Sequence, residues 1–264
     1  MRIVTTIAAM VAGLALSSGV QAELLTFDSS AEYTDNFRGI VEGDGVVWDA
    51  GGNIHHNINE SSTIMYDTTP LDGTVTTNTV EAQQISMDFR FESGASSLAV
   101  YLRVPDTEDA GYALLVGSAS GGANDYLRFY KNASPIDASV GVEISSSRAA
   151  VSGTNWITAD DWYTLVVTPA YTGSEFGYQV DAAVYAQGDT SGTPIAELIT
   201  WEGAGGGSTP LSAGQTGLRM RYSTYVDNYQ IVPEPASLAL LSVGGVALLL
   251  CFLTRRNAFA KGKR

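Results

Sequence analysis

Apolar and polar residues alternate along much of the chain between residues 23 and 231. In the clearest run, Ile85, Met87, Phe89 and Phe91 are separated by single residues, of which Ser86, Asp88 and Arg90 are polar. Successive side chains of a strand point to opposite faces, so each such run predicts a strand with one apolar face. Similar runs begin at Leu98, Leu127, Leu165, Phe176 and Leu218.

These runs predict an all-β fold, because no window carries a helical stripe longer than two turns. Strands with one apolar face bury it against a second sheet, which favours an antiparallel jelly-roll sandwich over residues 23–231. No fixed-period repeat is present, which disfavours propellers and β-helices. A stretch of this length also exceeds the ~100 residues of an immunoglobulin domain.

The amino-acid composition excludes several classes of function. The chain has 264 residues, a formal charge of -14, two histidines and a single cysteine. One cysteine excludes a disulfide framework and every zinc or iron–sulfur site that needs several cysteines. The acidic balance also excludes nucleic acid as the expected partner.

The first 22 residues have the pattern of a secretory signal peptide. Arg2 gives a short positive start, residues 3–16 are almost wholly apolar, and small residues precede Ala22. We expect cleavage between Ala22 and Glu23. The alternative, a membrane anchor, is disfavoured because a spanning helix needs ~20 apolar residues.

The other end of the chain predicts a transmembrane helix over residues 236–253. This stretch has no charged residue, and the basic tail that follows begins with Arg255 and Arg256. Basic residues stay on the cytoplasmic side, so the carboxyl end is expected inside and the body outside. Just before the helix, Pro233, Glu234 and Pro235 hold the chain extended as a readable segment.

The order of Pro-Glu-Pro, apolar helix and Arg-rich tail resembles the PEP-CTERM sorting signal of Gram-negative bacteria that make exopolysaccharide. The resemblance covers residues 232–264 and implies an exosortase-type sorting enzyme as partner. It also implies an inner-membrane precursor that is processed to a protein of the cell surface or extracellular matrix. Two alternatives are a permanent single-pass protein and a lipid-anchor signal, whose tail usually ends apolar.

The body without its two ends has a more negative charge than the whole chain. Six of the 14 basic residues lie in the two ends, whereas all 28 acids lie in residues 23–235, which leaves that body at -20. A body this acidic is soluble, repels anionic polymers and has carboxylates available for divalent cations.

Short patterns in the body are similar to concanavalin-like and laminin-G-like jelly rolls. Residues 161–167, Asp-Trp-Tyr-Thr-Leu-Val-Val, resemble a strand in which that family carries a Trp-Tyr pair. Residues 216–222 and 225–229 resemble its closing strands. The resemblance implies the fold and says little about the function.

No catalytic residues are predicted. A glycosidase on this fold needs two carboxylates facing one cleft, and the Glu-x-Asp-x-x-Glu string of concanavalin-like glucanases is absent. His55 and His56 are interpreted as polar loop residues. A hydrolase or lyase with an unrecognised carboxylate site stays open as the alternative function.

Aromatic residues favour glycan binding, since flat rings stack on sugars. Trp48, Trp156 and Trp201 are the predicted stacking residues, and Trp162 is expected in the core. The candidates also include three tyrosines expected to point outward, Tyr101, Tyr126 and Tyr130.

Asp227 is the candidate metal ligand. Alternation places it on the same strand face as Tyr225, Tyr229 and Ile231, where a carboxylate must be paired, hydrogen-bonded or metal-bound. If the first and last strands of the sandwich lie side by side, Asp28 approaches it and a structural Ca²⁺ site results. The alternative is that Asp227 accepts backbone hydrogen bonds at a strand bend.

Together these features predict an exported, non-catalytic module that binds glycans or has a structural role in the exopolysaccharide or biofilm matrix.

Overall fold

The computed structural model describes residues 23–41, 46–56, 61–66, 82–92, 95–104, 111–118, 125–134, 141–143, 155–171, 178–202 and 215–233. Residues Glu23–Val232 form one compact unit. The predicted signal peptide and the transmembrane helix lie outside the described residues, as do Glu234, Pro235, Arg255 and Arg256. Among the described residues, no helix is long and apolar enough to cross a membrane.

The described part of the chain contains one short helix and fifteen strands. The helix α1 is Ser30–Asn36. The strands are β1 Glu23–Leu25, β2 Phe37–Val41, β3 Val46–Asp49, β4 Asn53–His56, β5 Ser61–Tyr66, β6 Ala82–Phe91, β7 Ser97–Val104, β8 Gly111–Gly117, β9 Tyr126–Ala133, β10 Val142–Glu143, β11 Trp162–Tyr171, β12 Tyr178–Ala186, β13 Ala196–Glu202, β14 Gln215–Arg221 and β15 Thr224–Pro233.

The strands form two sheets. Sheet A has the order β13-β12-β11-β6-β15-β4-β3, with β1 also paired to β15, and sheet B has the order β10-β9-β8-β7-β14-β5-β2. The described pairings are antiparallel. Side chains of both sheets share one buried cluster, so the predicted antiparallel two-sheet sandwich is confirmed.

The alternation of β6 behaves as predicted. Ile85, Met87, Phe89 and Phe91 are all buried in the shared core. On the other face of the strand, Ser86 and Arg90 are half-buried. Large apolar side chains on one face of a central strand provide the surface against which the opposite sheet packs.

Strand β7 differs from the prediction of one apolar and one polar face. All eight of its residues are buried. Leu98 and Val100 pack in the core between the sheets, whereas Ala99, Tyr101 and Val104 belong to a second buried cluster. Leu115 of β8 and Tyr130 of β9 join that second cluster, which therefore lies on the outer side of sheet B.

The first and last strands pair side by side, as the sequence predicted. Leu25 of β1 lies opposite Tyr229 of β15. The predicted face of Asp227 is wrong, because Val226 and Tyr229 are both fully buried while Asp227 is half-buried. Asn228 has a positive φ of 49°, and this left-handed residue shifts the alternation so that Asp227 faces outward.

The interpretation of His55 and His56 as loop residues is also wrong, since both lie on β4. His56 is fully buried and joins the two sheets. Its Nδ1 lies 3.1 Å from the carbonyl oxygen of Tyr222, between β14 and β15, and its Nε2 lies 3.1 Å from Oγ of Ser62 in β5.

Candidate functional site

The outer side of sheet B combines aromatic, small and cationic residues in register. One cross-strand row contains Tyr126, Gly117, Ser97 and Arg221, and the next contains Arg128, Leu115, Ala99 and Arg219. The alternate residues Leu127, Leu218 and Met220 are in the core. We call the outward side chains of Tyr126, Arg128, Arg219 and Arg221 the basic face.

Tyr126 lies across the small residue opposite it. A Cβ added to Gly117 would collide with the phenol ring of Tyr126. Glycine at this position therefore lets the ring lie against the strand, from which it extends toward the arginines of β14. Tyr126 itself is half-buried, so part of the ring is open to solvent.

Arg128 stands at the solvent edge of the basic face. Its side chain is 48% exposed, and its Cζ lies 4.9 Å from the ring centre of Tyr126. A hydrogen bond with Tyr130 raises the pKa of Arg128. Glu143 of β10 lies 3.6 Å from its guanidinium, an exposed ion pair of small net energy.

Arg219 and Arg221 project from β14 on the same side. Nη2 of Arg221 donates to the hydroxyl oxygen of Tyr222 over 3.0 Å, and its Cζ lies 4.6 Å from that ring centre. Burial lowers the pKa of Arg219. The contacts with Tyr222 hold the guanidinium of Arg221 in a fixed orientation, which reduces the entropy lost when it binds an anion.

The phenol of Tyr126 is within electrostatic reach of all three arginines. Burial raises the pKa of Tyr126, Tyr130 adds to the increase, and Arg128, Arg219 and Arg221 oppose it. Arg128 lies beside the Tyr126 ring. Arg219 and Arg221 lie on β14 in the same two cross-strand rows, with β8 and β7 between. This part of sheet B offers one stacking surface and several charged hydrogen-bond donors.

The outer side of sheet A has a different character. Arg90 lies between two rings, 5.3 Å from the ring centre of Trp162 and 4.2 Å from that of Tyr225. His55 stacks on Tyr225 at 5.2 Å. Burial and a hydrogen bond to Glu92 raise the pKa of Tyr225 to about 12. The prediction of Trp162 as a core residue is wrong, since its neighbour Tyr163 takes the core position.

Asp88 occupies the next row of sheet A and is 7% exposed. Its Oδ1 accepts from the hydroxyl of Thr164, and its Oδ2 accepts from Nδ2 of Asn228 over 2.9 Å. Oγ1 of Thr164 in turn accepts from the backbone N–H of Gly188 over 2.9 Å. This network ties β6, β11 and β15 together and satisfies a buried carboxylate.

The predicted stacking tryptophans lie at separate places. Nε1 of Trp48 donates to the carbonyl oxygen of Phe27 over 2.7 Å, and its ring packs against the core. Trp156 also packs against the core, edge-on to Tyr163. Trp201 lies on β13, opposite Gln179. A stacking role for these three residues stays a prediction.

Of the predicted calcium ligands, Asp227 lies on β15 of sheet A and Asp28 lies between β1 and α1. Burial raises the pKa of Asp227, and the charges of Asp88, Asp28 and Glu32 raise it further. Oδ1 of Asp227 accepts from the backbone N–H of Asn228 over 2.6 Å, which matches the alternative role at a strand bend. Within the described ranges, no group of three acids, histidines or cysteines could hold a metal ion.

Sequence reasoning missed Arg128, Arg219 and Arg221. The alternation predicts Tyr126 only as one of three tyrosines that point outward. The available signal was the position of the basic residues, which fall at outward positions of the runs that begin at Leu127 and Leu218. The alternation predicts the faces of each strand, but only the pairing of β9, β8, β7 and β14 places these residues together.

No family model matches this chain, and a search of curated proteins also finds no match. Solved structures do resemble it. A Bacillus subtilis protein of unknown function with a galectin-like fold is 13% identical, with coverage of 81% of this chain and 96% of that chain and a TM-score of 0.46. The Crh5 transglycosylase in complex with NAG is 8% identical, with coverage of 81% and 84% and a TM-score of 0.46. A Bacillus licheniformis β-glucanase is 7% identical, with coverage of 81% and 98% and a TM-score of 0.44.

Proposed function

We propose that this chain is an exported, non-catalytic glycan-binding module of the cell surface or extracellular matrix, and that the glycan binds on the basic face of sheet B. The observation that carries the proposal is the Tyr126 ring, which lies across Gly117 and beside the guanidinium of Arg128. Arg219 and Arg221 lie in the same two cross-strand rows on β14. Sugars present apolar C–H faces and hydroxyl edges. An aromatic ring stacks on the C–H face of a sugar, and guanidinium groups donate hydrogen bonds to its hydroxyl groups.

Export to a polysaccharide matrix supports the same proposal. The predicted signal peptide and the Pro-Glu-Pro segment are the features from which we propose that the domain lies outside the inner membrane. Exopolysaccharide is the polymer that the sorting resemblance implies. A domain with a net charge of -20 stays soluble in such a matrix. It needs a local attractive surface to hold a polymer, and the basic face is such a surface.

Binding of the full chain to immobilised polysaccharides, neutral and acidic, with calcium present, tests the proposal. We expect retention on at least one polysaccharide and a loss of about tenfold or more in affinity for Tyr126→Ala. Tyr185→Ala is the matched control, because Tyr185 is also half-buried but lies on sheet A, opposite Thr164. Absence of binding to every polysaccharide, or an equal loss in both variants, would contradict the proposal.

A pair of glycine variants tests the position of the ring without removing any polar group. Gly117→Ala pushes the Tyr126 ring from its place, whereas a Cβ at Gly39 of β2 meets nothing within 4 Å. Since the far end of the tyrosine can rotate away, we expect Gly117→Ala to fold and to bind several-fold more weakly than Gly39→Ala. Release of shortened sugars from the bound polymer would instead favour the hydrolase or lyase alternative.

A further inference from the structure

The strands of the two sheets differ in charge. The strands of sheet B carry a single acid, Glu143, and six basic residues, Arg38, Arg103, Arg128, Lys131, Arg219 and Arg221. The strands of sheet A carry a single basic residue, Arg90, and seven acids, Glu23, Asp49, Asp88, Asp181, Glu197, Glu202 and Asp227. Six of the eight basic residues of the 23–235 body therefore lie on strands of one sheet, whereas 20 of its 28 acids lie outside the strands of both sheets.

The cations of the basic face are spread over the surface at distances that suit a polymer. Arg128 and Arg219 belong to one cross-strand row, with β8 and β7 between their strands. Three inter-strand steps of about 4.8 Å separate the two backbones by about 14 Å. Arg219 and Arg221 are two residues apart on one strand, about 7 Å. A chain of several sugars, rather than one sugar, spans such a set.

Guanidinium groups in this arrangement select carboxylates. Arginine forms paired hydrogen bonds with a carboxylate, and rings beside it fix its plane. Arg128 lies against Tyr126, and Arg221 lies against Tyr222, to which it also donates. The guanidinium edges are thereby oriented before any ligand arrives, and an ionised ligand gains more from them than a neutral one.

We infer that the ligand is an acidic polysaccharide with carboxylates on its sugars, held by Arg128, Arg219 and Arg221 around Tyr126. This inference rests on the proposed function and names the class of glycan. Packed sheets lie about 10 Å apart. At 0.15 M salt the Debye length is about 8 Å, so the acids of sheet A repel a ligand on sheet B only weakly.

The same charge distribution gives binding an unusual salt dependence. At about 0.01 M salt the Debye length is about 30 Å, so the whole charge of -20 repels an anionic polymer. At about 1 M salt the Debye length is about 3 Å, so the attraction between the arginines and the polymer is itself screened. Affinity for an acidic polysaccharide should therefore be greatest between these limits, whereas a uniformly basic binder weakens steadily as salt increases.

The test compares polygalacturonate with its methyl ester, which has the same backbone without the charge. We expect the full chain to bind polygalacturonate at least about tenfold more tightly at 0.1 to 0.15 M salt, and more weakly at both salt limits. The double variant Arg219→Gln, Arg221→Gln should lose most of this preference, while Arg90→Gln on sheet A should keep it. Thermal unfolding of each variant verifies that the fold is retained.

The outcomes separate the inference from the proposed function. Equal binding of polygalacturonate and its ester, with no effect of the double variant, would overturn the acidic ligand and leave glycan binding in place. No binding to either polymer or to any neutral glycan would overturn both. Equally tight binding of a single-stranded oligonucleotide would show a general polyanion surface and would also overturn the inference.

Discussion

His56 shows how one buried side chain can make the whole domain sensitive to pH. Its Nδ1 must carry a proton, because the Tyr222 carbonyl oxygen that it faces can only accept. Nε2 then accepts the hydroxyl hydrogen of Ser62. Burial lowers the pKa of His56 below its ordinary value of 6.5, and the charges of His55 and Arg219 lower it further, against the Tyr222 hydrogen bond.

We therefore expect the free energy of unfolding to decrease as the pH falls from about 7 to about 5. The unfolded chain binds a proton more readily than the folded chain, so the stability due to neutral His56 is present above pH 6.5 and lost below it. The slope from one proton is at most about 1.4 kcal/mol per pH unit. Chemical denaturation at several pH values measures it.

His56→Gln keeps a neutral donor and acceptor but does not titrate, so this part of the slope should disappear. His55→Gln is the matched control on the same strand, and it should keep the slope because His56 is still present. An unchanged slope in His56→Gln would show that other groups cause the pH dependence.

Among the elements of sheet A, the central strands are joined by side chains as well as by the backbone ladder. Asp88 of β6 accepts from Thr164 of β11 and from Asn228 of β15. Asn228, which donates to Asp88, is also the residue whose left-handed backbone changes the alternation of inward and outward side chains along β15. A carboxylate in the middle strand thus holds its two neighbours in register.

Asp88→Ala should destabilise the domain by about 1 to 3 kcal/mol, because it leaves the donors of Thr164 and Asn228 without their acceptor. Denaturant unfolding of the full chain measures the change. Glu197→Ala removes an exposed carboxylate from β13 of the same sheet and should change stability by less than about 0.5 kcal/mol. Equal midpoints for the two variants would contradict a structural role for the Asp88 network.

The whole molecule combines an acidic β-sandwich with two apolar, basic ends. Six basic residues lie in those ends, and the body of -20 lies between them. Pro233 is the last residue of β15, so the Pro-Glu-Pro segment begins where the sandwich ends.

If an exosortase-type enzyme recognises the Pro-Glu-Pro segment, replacing Pro233, Glu234 and Pro235 by alanine should leave full-length protein in the inner membrane. Mass spectrometry of the surface fraction should show a wild-type protein that lacks residues 1–22 and the residues after about 235. Glu197→Ala should be processed like the wild type. Normal processing of the triple variant would contradict recognition by an exosortase-type enzyme.

The strand pattern and the β-sandwich could be read from the sequence, because alternation is a local property of the chain. The core face of β6 is the clearest case, since every second residue from Ile85 to Phe91 is large and apolar. The same rule failed for β15, where a single residue with positive φ, Asn228, changes the faces. It also failed for β7, whose two faces are both buried.

By itself the sequence determined the acidic body and the class of fold, since each depends on composition or on neighbours along the chain. The targeting patterns stay predictions. Only the tertiary structure decided which strand faces are exposed to solvent and which residues distant in sequence lie in the same part of a sheet. The pairing of β9, β8, β7 and β14 places Tyr126 and Arg221, which are more than ninety residues apart in the chain, in one cross-strand row. Strand order in a sheet depends on the packing of the whole domain, and no local pattern encodes it.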